Sequence, residues 1–376
     1  MRVVIAGGGT GGHLYPGLAI AEALRRAAPE TAILFVGGGR LEARVVPTEG
    51  WPFHAIAGRG LPRRPSLGAL LALGAAAVGT LQALLLLARW RPDVVMATGG
   101  YVCAPVGAAS MVLGVPLVLQ EQNLRAGLAN RVLSRWARWV SLPHGDAAAS
   151  LPARRVEVTG VPLRRRALEG DRARGRARWG LDADRITMLV LGGSQGAHSL
   201  NKAVCHVADL LMYETRLQML QQTGAADLDW VRGAIGHREH VGPPAVKHVA
   251  VPFLDPVGDA YACADFVVCR AGASTLGEIT AWGLPAVLVP YPFAAMGHQE
   301  ANAAVLTRAG AAVRVADAEL ASGALLDPVQ MLMTEVSRRS AMAAASRALG
   351  RPEAADAVAG LILAMARERA AQGARS

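Results

Sequence analysis

Three glycine-rich turns of this 376-residue chain have the residue types that bind phosphate. They are Gly7–Gly12, Gly192–Gly196 and Arg270–Thr275, and each lies between an apolar run and a helical pattern. Such turns present backbone N–H groups at a helix N-terminus, where the helix dipole also favours an anion. They therefore predict a phosphorylated ligand, with tight turns that serve packing alone as the alternative.

Side chains suited to acid–base chemistry and to sugar binding accompany these turns. His13 follows the first turn directly, and near a helix N-terminus we expect a neutral imidazole that acts as a general base. Glu278 lies one helical turn beyond the third glycine-rich turn, where a carboxylate can accept hydrogen bonds from both hydroxyls of a ribose. Gln299 and Asn302 share one helix face, and their amides suit sugar hydroxyls. A histidine that only bonds a loop and a solvated helix face are the alternatives.

No metal ion or cofactor is predicted. The acidic pairs Asp182/Asp184 and Asp227/Asp229 have the character of turns rather than of a cation site. The four cysteines form no C-x-x-C pair, so we interpret them as buried thiols in a reducing compartment.

The first turn also satisfies the G-x-G-x-x-G pattern of dinucleotide-binding folds. That pattern requires an acidic residue at the end of the second strand, but here the strand ends Gly37-Gly38-Gly39-Arg40. An NAD site is therefore excluded, and an NADP-dependent oxidoreductase remains as an alternative from a different functional class.

Alternation of strands and helices predicts an α/β fold with parallel sheets. Apolar runs at Val3–Ala6 and Ala32–Val36 represent the first half of the chain, and Thr187–Leu191 restarts the same pattern. We predict two Rossmann-like domains, residues 1–160 and 164–350, followed by a C-terminal helix within 351–376 that packs back on the first domain. Ligands of such sheets bind at the carboxyl ends of the strands, where all the glycine-rich turns lie.

Composition excludes a disordered chain, because 52% of the residues are hydrophobic and 18% are charged. The net charge of +10 comes almost entirely from arginine and favours an acidic partner, although genomic base composition can produce the same excess. The N-terminus lacks the features of a secretory signal, which predicts a cytoplasmic protein.

The charge-free segment Leu67–Ala88 is long enough to span a bilayer. We prefer two other interpretations. In the first, a leucine and valine stripe packs on a sheet: Leu67, Leu70, Leu71, Val78, Leu81 and Leu85. In the second, the helix rests on anionic lipid and is held there by flanking arginines: Arg59, Arg63, Arg64, Arg89 and Arg91.

Together these motifs resemble those of the MurG-type N-acetylglucosaminyltransferases. The resemblance covers nearly the whole chain and is carried by GGGTGGHLYPGLAIAEAL at the start, GGYVCAPVGAAS from Gly99, LQEQNLRAGLANR from Leu119, LGGSQGAHSLN from Leu191, CRAGASTLGEITAWGLPAVLVPYP from Cys269 and HQEANA from His298. It implies two Rossmann-like domains with parallel sheets facing across a cleft (the GT-B fold). Two segments depart from the family pattern: Gly160–Arg164 lacks the usual Asn, and Phe293–Gly297 is less polar.

The resemblance implies UDP-GlcNAc as the donor, held mainly by the C-terminal domain. Arg164 and Ser194 would meet the diphosphate, and the backbone of Phe253 and Leu254 would meet the uracil. The turn Ala273, Ser274, Thr275, Leu276, Gly277 and Glu278 would cover phosphate and ribose, with Gln299 and Asn302 on the GlcNAc. Thr10, Gly11, Gly12 and Asn123 would form the N-terminal side of the same cleft.

The implied reaction is a single displacement with inversion, in peptidoglycan synthesis. The 4-hydroxyl of MurNAc in undecaprenyl-diphospho-MurNAc-pentapeptide attacks the anomeric carbon of GlcNAc, with His13 as base and Glu121 as the second candidate. The N-terminal domain would bind this acceptor and an anionic membrane surface, through the segment Leu67–Ala88 and Trp51. We expect a peripheral protein at the cytoplasmic face of the inner membrane that binds no nucleic acid. Another UDP-sugar transferase, a UDP-GlcNAc epimerase of similar fold and a non-enzymatic phospholipid-binding protein are the remaining alternatives.

Overall fold

The structure, a computed structural model, describes residues 1–60, 64, 66–153, 155–193, 195–241 and 246–373. The chain divides into two units by its internal contacts. Unit 1 comprises Met1–Arg164 and Pro352–Ser376, and unit 2 comprises Arg165–Arg351. Each unit contains one parallel sheet, which confirms the predicted pair of parallel-sheet α/β domains.

Unit 1 is built on a parallel sheet with the strand order β3-β2-β1-β4-β5-β6-β7. Its strands are β1 (Arg2–Ala6), β2 (Ala32–Gly37), β3 (Phe53–Ala55), β4 (Val94–Ala97), β5 (Leu117–Gln120), β6 (Trp139–Leu142) and β7 (Val156–Val158). Its helices are α1 (Gly11–Ala27), α2 (Leu41–Thr48), α3 (Leu67–Trp90), α4 (Cys103–Val112), α5 (Leu128–Leu133), a 3-10 turn (Gly145–Ser150) and, from the C-terminus, α15 (Ala354–Gly373).

Unit 2 has the sheet order β10-β9-β8-β11-β12-β13. Its strands are β8 (Ile186–Leu191), β9 (Leu217–Gln222), β10 (Lys247–Val251), β11 (Phe266–Cys269), β12 (Ala286–Leu288) and β13 (Ala312–Arg314). Its helices are α6 (Arg165–Leu168), α7 (Arg172–Trp179), α8 (His198–Leu210), α9 (Leu228–Val241), α10 (Val257–Cys263), α11 (Ala273–Trp282), α12 (His298–Arg308), α13 (Leu326–Thr334) and α14 (Val336–Leu349), with 3-10 turns at Ala295–Gly297 and Asp317–Ser322.

The central strands β1, β4 and β11 are mainly apolar because helices cover both faces of each sheet, whereas β9 contains three buried glutamines. In unit 1, α1 and α15 cover one face, and Leu18, Ile20, Val358 and Ile362 pack there with β1. α3 and α4 cover the other face, with Val106 and Leu87 in its core. α15 also pairs with α1 through Arg26 and Asp356, at 2.7 Å.

The described part of α3 corrects the interpretation of this helix as a core element. Its buried residues are mostly small, Ala72, Gly79 and Ala83, together with Leu87. The predicted packing stripe points outward, with exposed fractions of 52–73%; its members are Leu67, Leu70, Leu71, Val78, Leu81 and Leu85. By length and composition α3 is the one described helix that could cross a membrane, and 22% of its most apolar window is buried.

Trp51 does not lie on that surface. Its side chain is 6% exposed and packs 5.9 Å from the ring of Phe35, with the Arg25 guanidinium 3.5 Å above it. Trp136, which the sequence interpretation passed over, is 54% exposed and follows α5. The proposed lipid contact of Trp51 is therefore wrong. Arg63 lies outside the described residues.

Candidate functional site

The loops that follow β1 and β4 meet at the centre of the unit 1 sheet. β1 and β4 are neighbours, but the chain leaves them towards opposite edges of the sheet, which opens a crevice between the two loops. Gly99 and Gly100 have φ values of +105° and +89°, and a Cβ on Gly100 would lie 2.3 Å from the Gly8 carbonyl oxygen. Glycine is therefore required for the β4 loop to approach the β1 turn.

His13 lies in this crevice, in the first turn of α1. Its Nδ1 is 3.1 Å from the Thr98 carbonyl oxygen and 3.2 Å from Oε1 of Gln122. The Gln122 amide is oriented by its own Nε2, which donates to the Thr98 oxygen at 2.7 Å. Both partners of Nδ1 are acceptors, so Nδ1 carries the proton in the neutral ring. The Nε2 lone pair is then the basic site, which is the arrangement that a general base requires.

The predicted residues Thr10, Gly11 and Gly12 form the N-terminus of α1. Thr10 is the N-cap, and Gly11 and Gly12 open the helix, so their N–H groups have no partner within it. Thr10 and Gly12 are exposed. This end of the helix therefore offers the donors and the dipole that suit a phosphate.

Glu42, which sequence reasoning missed, closes the other end of the same turn. It is fully buried, and its carboxylate accepts hydrogen bonds from Gly9 N at 3.0 Å and Gly38 N at 2.9 Å. An acidic residue in the first turn of the helix after the second strand was the available signal. Because this carboxylate already accepts hydrogen bonds from both loops, it is not available to hold a dinucleotide ribose.

Glu121 organises the loop after β5. Its carboxylate accepts from the backbone N–H groups of Gln122, Asn123 and Gly127 at 2.9–3.1 Å and from Asn130 Nδ2 at 2.9 Å. The side chain is 1% exposed. These contacts give Glu121 a role in holding the loop and do not support its assignment as a base. They bring Asn123 to the same sheet edge as His13.

Arg164 has partners other than the predicted diphosphate. Its Nε donates to Glu22 Oε1 at 2.9 Å and its Nη1 to Glu49 Oε1 at 2.6 Å, and its side chain is 10% exposed. Glu22 lies about three turns, roughly 16 Å, along α1 from its N-terminus. A contact between Arg164 and a phosphate would require both ion pairs to open.

In unit 2, the glycine-rich turns follow β8 and β11, the neighbouring strands from which this chain also diverges. Gly193 and Gly196 have φ values of +88° and +77°, and a Cβ on Gly196 would lie 2.2 Å from the Thr223 carbonyl oxygen. The β8 turn is therefore pressed against the end of β9. Ser194, predicted to meet the diphosphate, lies outside the described residues.

The turn after β11 carries an unsatisfied hydroxyl. The predicted residues Ala273, Ser274, Thr275, Leu276, Gly277 and Glu278 are the first six of α11. The Ser274 hydroxyl oxygen is buried and makes no hydrogen bond to any described residue. Glu278 lies one turn further on the same face. Burial raises the pKa of Glu278 to about 7, although the hydrogen bond donated by Tyr261 lowers it. The Ser274 hydroxyl can donate a hydrogen bond and the Glu278 carboxylate can accept one, so the two side chains suit a ligand that has both acceptors and donors.

The remaining predicted donor contacts lie on the same edge of the unit 2 sheet. Leu254 follows β10 with its side chain buried, and Phe253 beside it is 56% exposed. Gln299 Oε1 accepts from Tyr291 N at 2.9 Å, and Asn302, 3% exposed, donates from Nδ2 to the Ala271 oxygen at 3.3 Å. Asn302 thus links α12 to the β11 turn, and its contact with a sugar stays a prediction.

The acidic pair at Asp227 has a structural use. Its Oδ1 lies 2.9 Å from His198 Nδ1, and its Oδ2 accepts from Asn201 Nδ2 at 2.8 Å. In the described ranges no group of three or more His, Cys, Asp or Glu side chains could hold a metal ion.

Comparisons with known proteins agree along the whole chain. Residues 3–141 match the glycosyltransferase family 28 N-terminal domain, and residues 187–358 match the C-terminal domain of that family. A protein of Desulforudis audaxviator (strain MP104C) is 42% identical over 96% of this chain and 98% of its own length. One from Anaeromyxobacter sp. (strain K) is 41% identical over 98% and 94%. Both are named UDP-N-acetylglucosamine–N-acetylmuramyl-(pentapeptide) pyrophosphoryl-undecaprenol N-acetylglucosamine transferase.

Among solved structures, the crystal structure of Acinetobacter baumannii MurG superposes with a TM-score of 0.77 at 28% identity, covering 96% of this chain and 99% of that one. These alignments cover 94–99% of the relatives' own lengths and 96–98% of this chain. The chain therefore belongs to glycosyltransferase family 28, in its MurG group of N-acetylglucosamine transferases.

Proposed function

We propose that this chain transfers N-acetylglucosamine from UDP-N-acetylglucosamine to the 4-hydroxyl of the muramoyl residue of undecaprenyl-diphospho-muramoylpentapeptide, with inversion at the anomeric carbon. The relatives' names describe the same donor, the same lipid-linked acceptor and the same transferred sugar, and we assign the reaction to peptidoglycan synthesis. The observation that carries the proposal is the buried Ser274 hydroxyl, which lies beside Glu278 at the start of α11 and has no hydrogen-bond partner among the described residues.

Donor binding is assigned to unit 2. The Ser274 hydroxyl and the N–H groups of the first turn of α11 suit a phosphate oxygen, and the helix dipole favours its charge. The carboxylate of Glu278 suits the two ribose hydroxyls, which are donors. The uracil is assigned to the backbone at Phe253 and Leu254, and the GlcNAc to Gln299 and Asn302.

The proton of the attacking hydroxyl is assigned to His13. As the muramoyl oxygen forms its bond to the anomeric carbon, the bond from that carbon to the diphosphate oxygen breaks and UDP leaves. The proton passes to His13 Nε2, because Nδ1 already donates to the Thr98 oxygen. Glu121 is left out of this step, since its oxygens accept from four neighbouring residues.

The leaving diphosphate gains negative charge as the bond breaks. Preorganised backbone N–H groups stabilise such charge without a cation, because their dipoles need no reorganisation. Thr10, Gly11, Gly12 and Asn123 are assigned to the diphosphates of the substrates on the unit 1 side. The proposal does not require Arg164, whose donors are bound to Glu22 and Glu49.

Acceptor access is assigned to the exposed face of α3. A lipid-linked substrate is presented at a membrane surface, and α3 exposes an apolar stripe between two arginine-containing ends. Arg59, Arg64 and Arg89 are exposed there. An apolar face flanked by arginines suits a monotopic contact with anionic lipid. We therefore propose peripheral attachment to the cytoplasmic face of the inner membrane.

Incubation of labelled UDP-GlcNAc with the lipid-linked muramoyl-pentapeptide tests the proposal directly. We expect a labelled lipid-linked disaccharide and free UDP, at the same rate with and without a chelator. Release of labelled sugar without acceptor would indicate hydrolysis of the donor, and conversion of the donor to its epimer would indicate an epimerase. Either result would contradict the proposed transfer. A rate abolished by the chelator would refute the metal-free stabilisation of UDP.

Thermal unfolding distinguishes the oxidoreductase alternative. A ligand that binds the native state raises the unfolding temperature, because it stabilises that state by RT ln(1 + [L]/Kd). We expect UDP to stabilise the protein and NADPH to have no effect, since Glu42 already occupies Gly9 N.

A further inference from the structure

Tyr261 is a buried polar residue that the assigned chemistry has not used. It lies in α10 and is 1% exposed. Its ring stacks on that of Trp282 at 6.4 Å with an interplanar angle of 25°. A buried phenol of this kind needs a hydrogen-bond partner, because an unsatisfied hydroxyl is costly away from water.

The partner of this phenol is Glu278. The Tyr261 hydroxyl donates to Glu278 Oε2 at 2.6 Å. The direction of the bond is unambiguous, since burial and the nearby carboxylate raise the pKa of Tyr261 well above its ordinary value and keep the phenol protonated. The bond therefore links a rigid, fully packed ring on α10 to a carboxylate on α11.

An anchored carboxylate has consequences for ribose recognition. A glutamate side chain has several rotatable bonds, and a ligand that immobilises it must offset the lost rotamer entropy. Here one oxygen already accepts a hydrogen bond from a buried, packed side chain. That bond restricts the orientation of the carboxylate before any nucleotide binds, and Oε1 is left to accept from a ligand. Preorganisation of this kind improves affinity by reducing the cost of binding.

We propose that Tyr261 is a positioning residue for the donor nucleotide: its hydroxyl holds Glu278 in the orientation that accepts hydrogen bonds from the ribose hydroxyls, and so sets the preference for ribose over deoxyribose. The inference rests on the proposed function, because it takes the ribose contact of Glu278 as given. Tyr261 is not a catalytic residue, since it acts only through Glu278. Its expected effect is on KM for the donor and not on kcat.

Titration of the full chain with UDP and with 2′-deoxy-UDP tests this role. Tyr261→Phe removes the hydroxyl and keeps the stacked ring, and Tyr213→Phe is the matched control because Tyr213 is 73% exposed in the same unit. We expect Tyr261→Phe to weaken UDP binding roughly 3- to 10-fold, the range of one ordinary net hydrogen bond, because the Glu278 carboxylate stays in place and loses only its anchor. Binding of 2′-deoxy-UDP should change much less. KM for UDP-GlcNAc should rise by the same factor, with kcat within about twofold.

The Glu278→Gln background separates positioning from packing. If Tyr261 acts through the Glu278 carboxylate, the preference for UDP over 2′-deoxy-UDP is reduced by either substitution, and Tyr261→Phe reduces it no further once Glu278 is Gln. The inference is overturned if Tyr261→Phe leaves the ratio of the two affinities unchanged. Equal weakening of both nucleotides would indicate a packing defect, and no weakening of either would show that the hydroxyl has no role in binding. An unchanged ratio in Glu278→Gln alone would instead refute the ribose contact of the proposed function.

Discussion

The exposed face of α3 makes the sharpest quantitative prediction. Leu81 and Leu85 lie one helical turn apart and are 59% and 61% exposed. Full burial of a leucine is worth about 1.5–3 kcal/mol, so inserting the exposed part of both into lipid should contribute about 2–3.5 kcal/mol. Replacing both by Gln should therefore lower the vesicle partition coefficient by about 30- to 400-fold.

Sedimentation with phosphatidylglycerol vesicles measures this coefficient. Leu210→Gln is the matched control, because Leu210 is 52% exposed on α8 of unit 2 and has no assigned lipid contact. Both variants should unfold at nearly the wild-type temperature, since the substituted side chains are exposed. Replacing Arg59 and Arg89 by Gln should instead remove the part of binding that is lost at high salt.

Two results would refute this reasoning. If Leu81→Gln with Leu85→Gln sediments like the wild type, α3 does not enter lipid. If Leu210→Gln loses binding equally, the apolar contact is not specific to unit 1. Activity on the lipid-linked acceptor should fall with vesicle binding, whereas activity on a water-soluble acceptor analogue should persist.

Three further predictions concern the site and its loops. Burial raises the pKa of Glu278 from 4.5 to about 7 in the folded protein. Between these two pH values the folded state holds this proton and the unfolded chain does not, so the free energy of unfolding should fall by at most about 3 kcal/mol as pH rises from 4.5 to 7. Urea unfolding at pH 5 and pH 8 should show this slope in the wild type and not in Glu278→Gln. His13→Gln should lower kcat by about 10²- to 10⁴-fold and leave the Kd for UDP unchanged; unchanged turnover would make His13 structural. Gly100→Ala should lower the free energy of unfolding by more than about 2 kcal/mol, because the added Cβ clashes with Gly8 and the residue keeps a positive φ. Gly114→Ala is the control, since Gly114 has a φ of +62° and open space around its Cβ. Equal losses in the two variants would contradict the clash.

Much of the fold could be predicted because its strands are unusually easy to identify. The predicted runs Val3–Ala6 and Ala32–Val36 each fall one residue short of the strands that the structure gives, Arg2–Ala6 and Ala32–Gly37. Each is a short apolar run that ends at a turn, since a strand covered on both faces has no polar alternation to obscure it. Helix starts are harder to place: α1 begins at Gly11, inside the glycine-rich turn, because such a turn can itself enter the helix.

The buried face of α3 could not be predicted from its sequence, because the usual arrangement of large apolar residues inside and small residues outside is reversed in this helix. A leucine stripe normally faces the core, but here the small residues do. A Cβ on Gly79 would lie 2.1 Å from the Ala57 carbonyl oxygen, and Ala83 is fully buried. Close backbone approach therefore selects Gly and Ala on the inner face and leaves the leucines outside. The spacing alone is compatible with either face turned inward.

Two buried carboxylates, Glu42 and Glu121, distinguish the glycine-rich turns of unit 1 from those of unit 2 and explain why the turns are assigned to different ligands. Backbone N–H groups that bind phosphate also bind carboxylate, and Glu42 and Glu121 occupy such groups at the ends of β1, β2 and β5. In unit 2 the start of α11 retains a buried hydroxyl on Ser274 without a described partner. A turn that an internal carboxylate already fills has less capacity for a further anion. This difference supports the assignment of the uridine nucleotide mainly to unit 2. Glu42 accepts from Gly9 N and not from Gly11 or Gly12, so the start of α1 keeps its assignment to substrate diphosphate beside His13.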